Sequence, residues 1–191
     1  MLAPHCPLCA LPTPQGETCG RCLRHAPLFD RTVAVFAYEF PLDKLIQSFK
    51  FNAQLALAGE FAHRLATKAP TRPDCLVAMP LHPARLRDRG YNQSEELARR
   101  LAQMLDISLA SRTCQRVRDT PPQSALAWKD RGRNMRKAFI CNSDMRGKHV
   151  AMVDDVMTSG ASLNELALAL RRAGAREISA WVVARTLPHS G

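Results

Sequence analysis

The chain has 191 residues, 46% of them hydrophobic, and a formal net charge of +10, so it can bury one full core with a small appendage and is neither fibrous nor disordered. No apolar run approaches the ~20 residues that cross a bilayer, and the start, "MLAPHCPLC", lacks the apolar centre of a secretion signal; a cytoplasmic protein without membrane insertion is the expectation. The charge is concentrated, residues 82–137 holding 13 Lys and Arg against 6 Asp and Glu, which suits nucleic acid, a multiply phosphorylated small molecule, or simply a solvated basic surface.

The first composition shift comes early. "HCPLCALPTPQGETCGRC" sets Cys6, Cys9, Cys19 and Cys22 as two pairs, each separated by two residues and joined by nine residues rich in Pro, Gly and Thr. Two such turns point four thiolates inward at one tetrahedral ion, so a closed, structural zinc site is expected, with His5 and His25 surplus as ligands. The segment has no net charge and little aromatic content, which favours a stapled lobe over residues 1–30 rather than a nucleic-acid finger. Cys75, Cys114 and Cys141 are isolated and read as small buried hydrophobes.

From residue 31 onward the pattern alternates strand and helix. "TVAVFAYEF" (32–40) reads as a strand, "PLDKLIQSFKF" and "LALAGEFAHRLATKA" as helices ended by "APTRP", and "DCLVAMPL" (74–81) as a buried strand stopped by Pro80 and His82. "SEELARRLAQML" (94–105) has helical spacing, with Ser94 as its cap. Residues 115–137 carry two prolines and seven Arg or Lys with weak periodicity; a long basic loop with a short helix is expected, a length typical of functional lids. An apolar strand at 150–153 follows. Ser162 with Glu165 forms a capping box for a helix over 163–173 closed by Gly174, and "EISAWVVAR" is the last strand. The whole predicts an α/β fold, a mostly parallel sheet flanked by helices on both faces, over 31–191. There is no internal repeat.

"HVAMVDDVMTSGASL" (149–163) is the most informative stretch. An apolar strand runs into Asp154 and Asp155, and Thr158, Ser159, Gly160, Ala161 and Ser162 then lead into a helix N-terminus, where backbone amides and the helix dipole favour an anion. In parallel sheets ligands bind beyond the carboxyl ends of the strands. Carboxylates that accept from two hydroxyls, one turn before a phosphate cradle, match a ribose 5-phosphate. A Walker B strand is the rival reading, but the chain has no Gly-x4-Gly-Lys-Ser/Thr.

"VAMVDDVMTSGAS" resembles the fingerprint of type I phosphoribosyltransferases, which bind phosphoribosyl pyrophosphate with Mg2+. "VAMPLHPARLRDRGYNQSEELA", "TPPQSALAWKDRGRNMRKAF" and the paired N-terminal cysteines together resemble the ComF family of competence and DNA-utilisation proteins, over nearly the whole chain. The resemblance implies that Asp154 and Asp155 hold the ribose hydroxyls, that Thr158 to Ser162 hold the 5-phosphate, and that the loop after 74–81, with His82 and Arg85, faces the pyrophosphate. Asp154, Asp155 and Arg85 are then the catalytic candidates. ComF-like chains often carry a further Cys-containing segment ahead of this pair, so the start here is expected to be shortened or misassigned. Thr158 stands where hypoxanthine-guanine enzymes place a carboxylate base, which argues against a 6-oxopurine acceptor.

A catalyst of this kind would displace pyrophosphate at the anomeric carbon through a transition state with oxocarbenium character. The protein's part is preorganised charge and a closing lid, with no protein nucleophile. Loop 115–137 would be the lid, with Arg116, Arg118, Lys129, Arg131 or Arg133 reaching the leaving group; Arg87 and Arg89 stand beside Arg85. Three functions follow: a phosphoribosyltransferase; a non-catalytic module that binds a phosphoribosyl ligand or single-stranded DNA, with Trp128 available to stack a base or to pack the loop; or an interaction protein whose zinc lobe docks a partner such as the competence helicase.

Overall fold

A computed structural model of the chain describes residues 4–118 and 137–188. Its centre is a five-stranded sheet in the order β1-β7-β6-β2-β3, with every pairing parallel. The strands are β1 (Arg31–Ala37), β2 (Cys75–Ala78), β3 (Ser108–Leu109), β6 (His149–Met157) and β7 (Glu177–Arg185). A two-stranded antiparallel ribbon, β4 (Cys114–Arg116) with β5 (Phe139–Cys141), stands apart from it. Six helices are described: α1 (Gly20–Arg24), α2 (Leu42–Phe51), α3 (Leu57–Lys68), α4 (Pro83–Arg89), α5 (Gln93–Leu105) and α6 (Ala161–Arg172). No helix among the described residues is long and apolar enough to cross a membrane.

A parallel sheet must be covered on both faces, and two apolar clusters do this. On one face Ile46 and Phe49 of α2, Phe61 and Leu65 of α3 and Leu97 and Leu101 of α5 pack against Leu76, Val153, Trp181 and Val183. On the other, Leu163, Leu166 and Leu170 of α6 meet Val77, Met152, Ile178 and Val182, together with Cys6, Cys9 and Cys22 of the N-terminal segment. That segment also lies along the start of β1, where Thr32 donates its amide to the carbonyl of Pro7 (2.8 Å) and its hydroxyl to that of Leu8 (2.6 Å).

The α/β architecture and the parallel sheet are those expected from the alternating pattern, and β7 covers the expected residues. Several local readings are corrected. Asn92, not Ser94, caps α5, its side chain accepting from the Ser94 amide at 3.1 Å; Ser94 is buried and turned to another use. The Ser162–Glu165 capping box does not form, because Gly160 is the N-cap of α6 in a left-handed conformation (φ 81°) and Glu165 instead accepts from the Lys137 amide at 3.0 Å. β6 does not end at Val153 but continues through both acids to Met157, held by β7 as far as the Met157–Arg185 pairing. Cys114 and Cys141, isolated in sequence, are opposed across the β4–β5 ribbon, and Cys141 is only half-buried. Of the expected lid, Gln115 and Arg116 belong to β4, while Trp128, Lys129, Arg131 and Arg133 lie outside the described residues.

Trp181 is 1% exposed in the middle of β7. Trp181→Ala is expected to lower stability by about 3–5 kcal/mol, read as a shift of the urea midpoint with little change in slope.

Candidate functional site

β2 stops at Ala78, opposite Val153, because the chain turns away through Met79 and Pro80, which has no amide to continue the ladder. From Asp154 onward β6 is paired, among the described residues, only with β7. The sheet order reverses here: β6 connects through α6 to β7 on one side, β2 through α4 and α5 to β3 on the other. Such a switch point leaves a crevice at the carboxyl ends of the strands. A cleft of about 310 Å³ occupies it, with Asp154, Asp155, Ser94 and Thr158 on its floor and Lys50, Arg85, Arg89 and Arg116 around it.

The acids are held unequally. Asp155 is 3% exposed; its Oδ1 accepts from the Val156 amide at 2.6 Å and meets Lys50 Nζ at 3.0 Å, while its Oδ2 is buried with no hydrogen-bond donor among the described residues. Asp154 accepts at Oδ1 from the Ser94 hydroxyl and the Asp155 amide, both at 2.9 Å. Burial, then the neighbouring Asp155 charge, pushes the Asp154 carboxyl up to about 7, with Lys50 and the Ser94 hydrogen bond acting against the rise. For Lys50, burial acts downward, but the charges of Asp155 and Asp154 outweigh it and hold its pKa above the usual lysine value.

Next to the acids, Thr158 to Ser162 form the turn into α6. Gly160 is required there: a Cβ at its position would lie 2.9 Å from Met157 Cε, and its φ is positive. A small void of about 20 Å³ lies between Asp154, Thr158, Gly160 and Ser162. Arg185, at the end of β7, donates through Nη1 to the carbonyls of Met157 and Thr158 and through Nε to that of Cys9 at 2.7 Å.

The fold brings most of the residues expected from sequence to one cleft, namely Asp154, Asp155, Thr158, Ser162 and Arg85, with Gly160 in the adjoining void. Ser159 and Ala161 face a different cavity, behind the turn. His82 caps α4, its Nδ1 accepting from the Ala84 amide at 3.3 Å. Arg89 lines the cleft, its guanidinium 4.9 Å from the centre of the exposed Phe51 ring, whereas Arg87 is exposed on α4. Lys50, Ser94 and Arg185 were not anticipated. Lys50 carries no local signal, since only the packing of α2 against the sheet brings it to Asp155. Arg185 does carry one: a lone cation closing an apolar strand that is buried on both faces.

The sulfurs of Cys6, Cys9, Cys19 and Cys22 lie within 4.8 Å of one another, with Cys9 and Cys19 at 3.6 Å. Metal–sulfur bonds of about 2.3 Å in a tetrahedron set sulfurs about 3.8 Å apart, so the cluster fits a metal ion of that coordination. Burial raises the Cys9 thiol to about 11 and Cys22 further still, while Cys19, which burial also pushes up, is drawn down to about 7 by hydrogen bonds from the Cys22 amide and the neighbouring thiols. Buried thiols such as Cys9 and Cys22 lose their protons readily only to a cation.

The Asp154 shift has a sign that can be tested. Because its pKa is raised in the fold, the native state keeps a proton that the unfolded chain loses, so this group favours folding below the ordinary carboxylate range and that contribution fades as pH rises towards 7. Asp154→Asn is expected to flatten the stability profile between roughly pH 4 and 7 and to raise stability at pH 8 by on the order of 1 kcal/mol. Urea titrations across that range would show it; parallel profiles for the two proteins would mean the carboxyl ionises normally.

Residues 90–188 match the phosphoribosyl transferase domain family. The chain is 37% identical over 192 residues to the DNA utilization protein YhgH of Salmonella typhi, covering 95% of this chain and 84% of that protein. It is 36% identical over 181 residues to competence protein F of Haemophilus influenzae, covering 89% and 79%. Among solved structures, a purine phosphoribosyltransferase from Pyrococcus horikoshii superposes on 84% of this chain and 94% of its own at 18% identity, with a TM-score of 0.36. With identity of this extent to both kinds of relative and the domain match across its acid pair and α6, the chain belongs to the ComF family of competence and DNA-utilisation proteins and carries that family's phosphoribosyl transferase domain.

Proposed function

We propose that this protein binds phosphoribosyl pyrophosphate with Mg2+ in the cleft at the end of β6, as part of the uptake or utilisation of external DNA. The observation that carries the reading is the buried Asp155 Oδ2, which has no donor among the described residues, beside a turn whose Gly160 opens a helix N-terminus. A buried acceptor without a partner is costly, and a ribose hydroxyl would satisfy it. Asp154 and Asp155 would accept from the ribose hydroxyls, Thr158 to Ser162 would donate amides and hydroxyls to the 5-phosphate, and Arg85, with Lys50 across the cleft, would face the pyrophosphate. Hard carboxylate oxygens suit Mg2+, which when bound supplies neutralisation of the leaving group. The reaction, where it turns over, is displacement of pyrophosphate at the anomeric carbon by an acceptor whose identity the cleft leaves open.

In this reading residues 1–30 are a lobe stapled by zinc, and 31–191 the phosphoribosyltransferase-like domain. A second reading, a module for single-stranded DNA, draws support from one feature: Phe51 is 68% exposed beside the cleft, under the Arg89 guanidinium, an arrangement that can stack a base. The two part in a salt titration, because a strand-binding groove loses affinity with a log–log slope near −0.7 for each phosphate neutralised.

Phosphoribosyl pyrophosphate with Mg2+ is expected to raise the melting temperature, the gain reaching about 2.7 kcal/mol at a hundredfold excess over Kd. Asp154→Asn should weaken binding at least tenfold in calorimetric titration while the far-ultraviolet dichroism is unchanged. Undiminished binding by that variant would place the ligand elsewhere.

Protein purified without a polyhistidine tag is expected to hold about one zinc ion per chain. Cys19→Ser should lower both metal content and thermal midpoint; a metal-free preparation of equal stability would exclude the site.

A further inference from the structure

Arg185 is the one fully buried arginine among the described residues, at 0% exposure, and its surroundings are unusual for a cation. It forms no ion pair with a carboxylate among those residues. Its hydrogen bonds all go to main-chain carbonyls: Cys9 at 2.7 Å, Met157 at 2.9 Å, Thr158, and Thr186 at 2.7 Å. Its Nη2 is buried with no hydrogen-bond partner among the described residues. A buried charge is retained only where something compensates it. Burial works most strongly against its charge and Arg21 adds to that, while Cys9, Cys22 and Cys19, once ionised, act in its favour. Four thiolates around a divalent ion carry a net charge of about −2, which would compensate a neighbouring guanidinium.

The carbonyls it holds give this contact a direction. In a trans peptide the C=O and the following N–H point opposite ways. By drawing the carbonyls of Met157 and Thr158 towards itself, Arg185 turns the amides of Thr158 and Ser159 away, to the other side of the turn into α6. The void between Asp154, Thr158, Gly160 and Ser162 is not lined by Arg185. The cysteine segment and this turn share one apolar cluster through Cys9, Cys22, Met157 and Leu163, but a cavity of about 400 Å³, lined by Cys22, Arg21, Gly160, Asn164 and Arg185 among others, opens between them. Across that gap run the Arg185 hydrogen bonds, a long one from Arg21 to the Ser159 carbonyl (3.5 Å) and one from the Leu28 amide to Asn164 (2.7 Å).

We propose that Arg185 is a positioning residue that couples the cysteine cluster to the anion-binding turn, so that occupancy of the metal site sets how well residues 158–162 hold a phosphoryl group. The inference rests on the reading above that the cluster takes zinc and the turn takes a phosphate. The guanidinium fork is what the role needs: one donor reaches the first cysteine turn while another holds two carbonyls of the phosphate turn, and an ammonium cannot span both in a fixed geometry.

The test uses the full-length zinc protein and ribose 5-phosphate without added magnesium. Zinc loss to a chromogenic chelator is followed with and without saturating sugar phosphate, and sugar phosphate affinity is measured by calorimetry, for wild type and Arg185→Lys. Because coupling between sites is reciprocal, ribose 5-phosphate is expected to strengthen zinc retention in wild type by the same factor by which zinc strengthens sugar phosphate binding, about tenfold. In Arg185→Lys, sugar phosphate binding should weaken about tenfold and the effect on zinc retention should vanish. Arg185→Lys that matches wild type in both, or wild type whose zinc retention ignores a bound sugar phosphate, would overturn the coupling alone. Wild type that holds no zinc, or does not bind ribose 5-phosphate, would overturn the functional reading and the coupling with it. The wild-type measurement stands without any variant, so an unstable Arg185→Lys protein does not shield the proposal.

Discussion

Strand β6 is longer than its neighbour, and the site depends on that difference. The β2 pairing ends at Ala78 opposite Val153, while β7 carries β6 on to Met157. Two carboxylates therefore sit on backbone that is rigidly held from one side and open on the other. A loop would hold them less firmly, and a fully paired strand would leave no room beside them. The lysine of α2 and the serine of α5 reach the acids because both helices lie on the same face of the sheet, packed against Leu76 and Val153. Without Lys50 the two adjacent carboxyls would repel one another in a partly dry setting; with it, that repulsion is offset, although burial and Asp155 still push the Asp154 carboxyl up.

The cysteine segment and the acid site lie at opposite sides of one turn. Arg185 touches the first cysteine knuckle and the carbonyls ahead of Gly160, and thereby links two motifs that are separated by well over a hundred residues. Among the described residues main-chain carbonyls are the only acceptors it has, so its role lies in shaping backbone rather than in pairing charge with a side chain.

Much of this was legible from residues alone, for reasons that differ by motif. The Cys pairs and the acid–glycine turn are local patterns in which spacing itself encodes geometry, and both fold as clusters. Apolar periodicity located the long strands and helices, since each buries a face in one of two clusters. What spacing cannot carry is tertiary reach. Nothing around Lys50 says that its side chain meets β6, and Ser94, which has the chemistry of a cap, is instead spent on Asp154 because Asn92 takes the capping role. Strand ends were missed for the same reason: β6 looks finished where its apolar run stops, but the ladder is continued by a neighbour whose own sequence stays apolar to Ala184. The ribbon strands β4 and β5 have three residues each, too few for any periodicity to register.

The contact between Thr32 and the Pro7–Leu8 backbone bears on the molecule's life in a crowded solution. β1 is an outer strand of the sheet, and β3, at the far side, has only two residues. A sheet of apolar parallel strands with a long bare margin invites another chain to add itself there. Here the short margin offers little to pair with, and the long one begins under the cysteine turns. Loosening of those turns would uncover the main chain of β1 at its first residues, the margin at which a further strand could add itself.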